Sequence, residues 1–379
     1  MKIVIIGPVY PYRGGIAQYT GLMSQNLMKS HEVVNVSFSL QYPRFLYHNE
    51  QKDFSNDTFK AADARYWLNT VNPISWISTA RRVNAIKPDL VIVQWWHPFF
   101  APAYWSLLKL LKRDIRVLFC CHNVLPHEGF PCKNLLAKMV LRQGDGFLVH
   151  SSTDELNLKQ LVPNPHYLRM PLLTFNGFRQ RGLSRSVGRD LLKLPESAEV
   201  LLFFGFIRKY KGLKHLLRAM PAILKARPKA HLLIVGEFFE GDKADYMELI
   251  AQSGIPSDAL TLVDGYLPDK EVEPYFAACD LVVLPYESAT QSAVVQTAYD
   301  FEKPVVATSV GGLPEVVLDG KTGFVTPPLD SEAFAKAVTR FFVEKKAEEF
   351  QENIRQESYK YSWDRMNEAV EALYKGEKT

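Results

Sequence analysis

Apolar residues in this chain come in blocks rather than in alternation. KIVIIG (2–7), EVVNVSF (32–38), DLVIVQW (89–95), RVLFCCH (116–122) and GFLVHS (146–151) are nearly continuous in Val, Ile, Leu and Phe. A strand with one wet face alternates apolar and polar positions. A run without alternation implies burial on both faces, hence a parallel sheet covered by helices. The series restarts with EVLLFFGF (199–206), AHLLIVGE (230–237), LTLVDGY (260–266), DLVVLPY (280–286), PVVATSV (304–310) and GFVTPP (323–328). Between the two series, LTFNGFRQRGLSRSVGRDLLKLP (173–195) is basic, rich in Gly and Ser and weak in long apolar periodicity, which predicts a linker. A chain of 379 residues exceeds one ordinary core. The expected fold is therefore α/β, two consecutive Rossmann-like doubly wound domains at 1–172 and 190–360 with a cleft between them.

Ligands of doubly wound sheets sit beyond the carboxyl ends of the strands, so the residues there are the candidates for chemistry. After the first strand, Gly14 and Gly15 precede a helical pattern. They read either as a flexible turn or as a close backbone approach to a ligand. Their spacing is not that of a GxGxxG dinucleotide fingerprint, which disfavours a nicotinamide cofactor. In FFGFIRKYKG, Arg208 and Lys211 follow a strand and precede a helix, where a guanidinium fork and an ammonium suit a diphosphate. Lys209 and Lys214 read as solvated charges. The stretch LPYESATQSAVVQTAYDFEKPVVA (284–307) places Thr290, Gln291, Ser292 and Ala293 between a strand and a helix. Small neutral side chains there mean either tight packing or helix-start N–H groups left bare for phosphate oxygens, and Ser292 adds a hydroxyl. His122 in FCCHNVLPHEG ends a strand, with His127 and Glu128 on the same loop, either as binding residues for a second substrate or as ordinary exposed loop residues. His97 in QWWHPFF ends another. Trp95 and Trp96 beside it either stack on a sugar or lipid or pack in the core.

Composition narrows the class. Hydrophobic residues at 47% with 23% charged describe a folded soluble protein. A net charge of +4 fits anionic substrates and gives no case for nucleic acid. The four cysteines lack metal-ligand spacing, and Cys120 and Cys121 inside an apolar run indicate a reduced, cytoplasmic core. MKIVIIGP reads as a first strand rather than a signal peptide, and no run reaches the ~18 apolar residues of a membrane span. PAYWSLLKLLKRDIR (102–116) fits either an interfacial helix at the inner face of the cytoplasmic membrane or a core helix with a charged end.

GFIRKYKG resembles the G-R-L-x-x-x-K-G segment of retaining glycosyltransferases of family four. GGLPEVVLDGKTGFVTPP (311–328) and GYLPDKEVEPYFAACDLVVLPY (265–286) are similar to two further segments of that family. The resemblance is strong over 199–328 and weaker before 170. It implies the GT-B architecture, with YSWDRMNEAVEALY in about 361–379 crossing back onto the first domain. It also implies a nucleotide-sugar donor, UDP- or GDP-linked, and no cofactor. By the same resemblance Lys211 meets the donor diphosphate and His122 lies between donor sugar and acceptor. The family's arginine falls on Phe206, which leaves Arg208 as the substitute. The family's two glutamates, which face the donor sugar and the ribose, fall on Ala289 and Thr297. Both carboxylates are therefore absent, with Glu287 as a nearby stand-in. Glu237, Tyr266 and Leu267 follow two strands where the base would be read.

The function so implied is retaining transfer of a hexose-type sugar to a glycan or lipid-linked acceptor, as in polysaccharide biosynthesis. No Asp-x-Asp stands at a strand end, which argues against a metal-bridged donor. The lost glutamates keep a non-catalytic nucleotide-sugar-binding or scaffold protein as an alternative. An epimerase is a third reading, although it would need acid and base carboxylates that the sequence does not place there.

Overall fold

A computed structural model describes all residues except 48, 49, 56, 127, 128, 239–241, 378 and 379. The chain divides into two units, Met1–Pro171 with Ser362–Thr379, and Leu172–Tyr361. Among the described residues the first holds a seven-stranded sheet of order β3-β2-β1-β4-β5-β6-β7. Its strands are β1 Lys2–Ile6, β2 Glu32–Leu40, β3 Ala64–Asn69, β4 Leu90–Trp95, β5 Arg116–Cys121, β6 Gly146–Val149 and β7 Tyr167–Arg169. The second holds six strands of order β10-β9-β8-β11-β12-β13. These are β8 Glu199–Phe204, β9 Ala230–Gly236, β10 Leu260–Asp264, β11 Leu281–Leu284, β12 Val305–Thr308 and β13 Gly323–Thr326. Among the described residues all pairings between these strands are parallel, and β1, β4, β8 and β11 are buried almost throughout.

The apolar blocks correspond to all the strands except β3 and β7. Those two are the edges of the first sheet, paired on one side only and carrying exposed residues such as Tyr66 and Arg169. An edge strand with one wet face has no reason to be continuously apolar, so the pattern misses it.

The segment expected as a linker is part of the second unit. Residues Arg185–Leu192 form a helix. The buried Glu273 carboxylate accepts from the N–H groups of Gln180 at 3.2 Å, Arg181 at 2.8 Å and Leu183 at 2.9 Å. Arg189 is fully buried, pairs with Asp280 at 2.7 Å and donates to Ala278 O at 3.1 Å. The helix Asp364–Lys375 buries Met366, Val370 and Leu373 in the first unit.

In both sheets the strand order reverses at one point, between β1 and β4 and between β8 and β11. Loops leaving two such strands diverge to opposite faces and open a crevice at the carboxyl edge.

Candidate active site

At the reversal of the second sheet, β8 ends at Phe204 and the chain turns through Gly205, whose φ of 92° favours glycine. It then passes Phe206 and Arg208 into a short helical turn, Lys209–Lys211. This turn brings Lys211 back over the strand end. Its Nζ lies 3.0 Å from where a Cβ on Gly205 would stand and 5.8 Å from the centre of the Tyr286 ring, just beyond β11. Lys211 is only 8% exposed, and no carboxylate among the described residues pairs with it. Burial, with the neighbouring charge of Arg208 adding, lowers its ammonium to about 7. An enclosed cation without a counter-charge is costly, and such groups concentrate where a ligand supplies the missing charge.

Across the reversal, the stretch 288–293 divides in two. Ala289 is buried, and a Cβ on Gly311 would meet its carbonyl oxygen directly. The Gly312 N–H donates to Thr290 O at 2.8 Å. Small size at 289–290 is therefore tight packing. Ser292, in contrast, is the N-cap of the helix Ala293–Asp300 and makes no side-chain cap. With no side-chain cap, the first N–H groups of that helix keep their donors for another acceptor.

Other expected residues are occupied. Thr297 is buried, and its hydroxyl donates to Ala293 O at 3.0 Å, inside its own helix. Glu287 is bound by Lys214 at 2.9 Å and His215 at 3.0 Å. Glu237 carbonyl accepts from the Ile207 N–H at 2.8 Å, which ties the end of β9 to the β8 turn. Tyr266 and Leu267, both half-buried, follow β10. Tyr266 stacks on Phe206 with ring centres 6.3 Å apart. Phe206 was not read as a site residue, because only the alignment of β8 with β10 across β9 makes it half of an aromatic pair.

In the first unit, Gly14 is the N-cap of the helix Gly15–Leu27 with φ 98°. Its carbonyl accepts from Ala17 and Gln18. His122 follows β5, and its Nε2 lies 2.7 Å from Gln94 Oε1. Burial, with His150 adding, holds its imidazole well below the usual range, so the ring is neutral at physiological pH. His97 caps a short helical turn, its Nδ1 accepting from the Phe99 N–H at 3.1 Å. Trp95 and Trp96 are core residues, donating to Val124 O and the Tyr42 hydroxyl. His127 and Glu128 lie outside the described residues. The expected helix at 102–116 runs over Ala101–Lys109 and spends Ala101, Ala103, Tyr104, Leu107 and Leu108 on the core. Among the described residues no helix is long and apolar enough to cross a membrane.

Residues 198–343 match the family described as "Glycosyl transferases group 1". The lipopolysaccharide 1,2-N-acetylglucosaminetransferase of Salmonella typhimurium is 29% identical over 70% of this chain and 74% of its own. A D-inositol 3-phosphate glycosyltransferase of Saccharomonospora viridis is 26% identical over 63% of this chain and 57% of its own. Among solved structures, the sucrose-phosphate synthase of Thermosynechococcus elongatus superposes with a TM-score of 0.78 at 18% identity. It covers 99% of this chain and 98% of its own. Anabaena HepE, solved with UDP-glucose, gives 0.75 at 16%, covering 99% of this chain and 100% of its own. These structural likenesses show the fold, two parallel-sheet α/β units of the GT-B kind. Residues 198–343 thus resemble the group 1 glycosyltransferases, and the chain is a glycosyltransferase.

Proposed function

We propose that the chain is a retaining enzyme that moves a hexose-type sugar from a UDP- or GDP-linked donor to a glycan or lipid-linked acceptor, without a metal ion. The observation that carries this reading is the buried, uncompensated ammonium of Lys211 at the reversal of the second sheet, beside Arg208 and the uncapped helix start at Ser292. Breaking the anomeric C–O bond leaves positive charge on the sugar and adds negative charge to the departing diphosphate. Lys211 and Arg208 meet that charge as cations, and the N–H groups of Ala293 and its neighbours meet it as donors. By analogy with oxyanion donors, each is worth ~2–4 kcal/mol of barrier. The acceptor then attacks from the face the diphosphate leaves, and the diphosphate takes its proton. Gly14 and Gly15 approach the donor through backbone. Phe206 and Tyr266 offer the base an aromatic surface, and His122 serves a sugar or acceptor hydroxyl. Contact with the inner face of the cytoplasmic membrane belongs to the same proposal, with exposed Trp105 and Leu110 as the residues to test by vesicle flotation.

Incubation with a panel of nucleotide sugars, following nucleoside diphosphate release and the anomeric configuration of the product, tests the reading. Release with one donor, abolished in Lys211→Ala with the fold intact, is expected. Release at the wild-type rate in that variant overturns it. Tight binding of a donor without release, with or without acceptor, would instead favour the scaffold reading, which the burial of Ala289 and the internal bond of Thr297 keep specific.

A further inference from the structure

Gln94 is a polar side chain with no exposure, in the middle of a run of Val, Ile and Trp on β4. Such a residue needs partners for both ends of its amide. In the register of β4 with β5, Gln94 stands opposite Cys120. The His122 N–H donates to Trp95 O at 2.8 Å and extends that ladder by one rung. Side chains two apart on a strand share a face, so Gln94 and His122 emerge on the same side of the sheet. Gln94 Oε1 lies 2.7 Å from His122 Nε2, and its Nε2 donates toward Met23 Sδ at 3.3 Å. The thioether sulfur accepts and cannot donate, so the amide's N–H₂ belongs on the sulfur side and its oxygen on the imidazole side. An oxygen acceptor requires a proton on His122 Nε2. On a neutral ring that leaves Nδ1 as a lone pair, and Nδ1 has no hydrogen-bond partner among the described residues.

The third member of the arrangement is Gly7, one residue past β1. A Cβ there would stand 2.8 Å from Gln94 Cβ and closer still to its Cγ. Only a residue without a side chain lets Gln94 lie across the end of β1 and reach His122. The ring is further held edge-on by Tyr19, with centres 5.1 Å apart, and lies 5.8 Å from His150.

We infer that Gln94 is a positioning residue that fixes His122 as the Nε2–H tautomer, so that Nδ1 is the ring's acceptor for a substrate hydroxyl. This rests on the proposed role of His122, and its test separates the two. Long-range ¹⁵N–¹H spectra of the imidazoles in the full-length protein, with the His122 signal assigned by its loss in His122→Asn, read the tautomer without any turnover. The wild type should show Nε2–H. Gln94→Met, close in size and without an acceptor, should lose that preference, and Gln94→Glu, which keeps an oxygen, should restore it. With a donor identified, Gln94→Met should lower kcat about tenfold or more with little change in donor KM. An Nδ1–H ring in the wild type, or an unchanged tautomer and kcat in Gln94→Met, overturns the inference. Should the tautomer follow Gln94 while His122→Asn turns over normally, the positioning stands as structure but the inferred use of Nδ1 falls. Gly7→Ala provides the second route. It should disturb the His122 signal in the same direction as Gln94→Met, and a wild-type signal in a folded Gly7→Ala protein also counts against the arrangement.

Discussion

The carboxylate of Glu287 accepts a hydrogen bond from His215 Nε2 at 3.0 Å, and Lys214 Nζ stands 2.9 Å from the same oxygen. Burial raises this carboxyl, but the hydrogen bonds from Lys214 and His215 outweigh it and hold it below the usual carboxylate range. The group is thus ionised and already neutralised by the helix Leu213–Ala226. It is a brace between that helix and the segment after β11, two residues from where a sugar-facing carboxylate would be wanted.

Glu287→Gln should therefore keep turnover within about threefold while costing about 0.5–1.5 kcal/mol of stability, the worth of a partly exposed hydrogen-bonded brace. Denaturant unfolding and kcat measured together check this. A hundredfold loss of turnover at unchanged stability would mean that the carboxylate does chemistry.

Lys211 predicts a trade between stability and function. Its ammonium, ordinarily near 10.5, is lowered to about 7 in the fold. Between these values the unfolded chain binds the proton and the folded one does not, so stability rises with pH through this window. The full cost of the buried charge is present below pH 7. Lys211→Met removes that cost and should stabilise the protein at pH 6 by about 1–3 kcal/mol, in line with replacements of buried charge by apolar side chains. The gain should shrink toward zero by pH 10–11 while donor turnover is lost at every pH. Urea titrations at pH 6 and pH 10 read it.

The same shift sets the pH dependence of ligand binding. A diphosphate beside Lys211 favours the charged ammonium, so binding above pH 7 must take up a proton. Affinity for the nucleoside diphosphate of the productive donor should fall as pH rises above about 7, by up to tenfold per unit. Calorimetry at pH 8 in two buffers of different ionisation enthalpy should detect the uptake. Lys211→Met should bind weakly and without this slope.

Gly311 holds φ 51° with its Cα against the Ala289 carbonyl, and so closes the backbone around the helix start. Gly311→Ala adds both a left-handed penalty and a backbone collision, and should cost about 3–5 kcal/mol. Gly320→Ala is the control. Its φ is 71° but a Cβ there meets open space, so only the left-handed cost of about 1–2 kcal/mol applies. Equal losses in the two variants would show that the collision is relieved by a shift of the 311–312 turn.

By itself the sequence determined the two doubly wound units. A strand buried on both faces must be continuously apolar, and that constraint writes itself into runs such as 90–95 and 281–284 without any need to know the partner strand. It also marked Lys211 and the junction before residue 293, because strand ends in such folds are where ligands bind. What it did not determine depends on residues far apart in the chain. The edge strands β3 and β7 are strands because neighbours pair with them, not because of their own composition. The stretch 173–195 looks like a linker until Glu273 and Asp280, about ninety positions on, satisfy its N–H groups and its arginines. Glu287 looks available until helix Leu213–Ala226 supplies Lys214 and His215, and Gln94 looks like a stray polar residue until β1 and β5 bring Gly7 and His122 to either side of it. Burial by one's own run is local and legible. Neutralisation, hydrogen-bond partnership and close approach belong to pairs that only the folded sheet brings together.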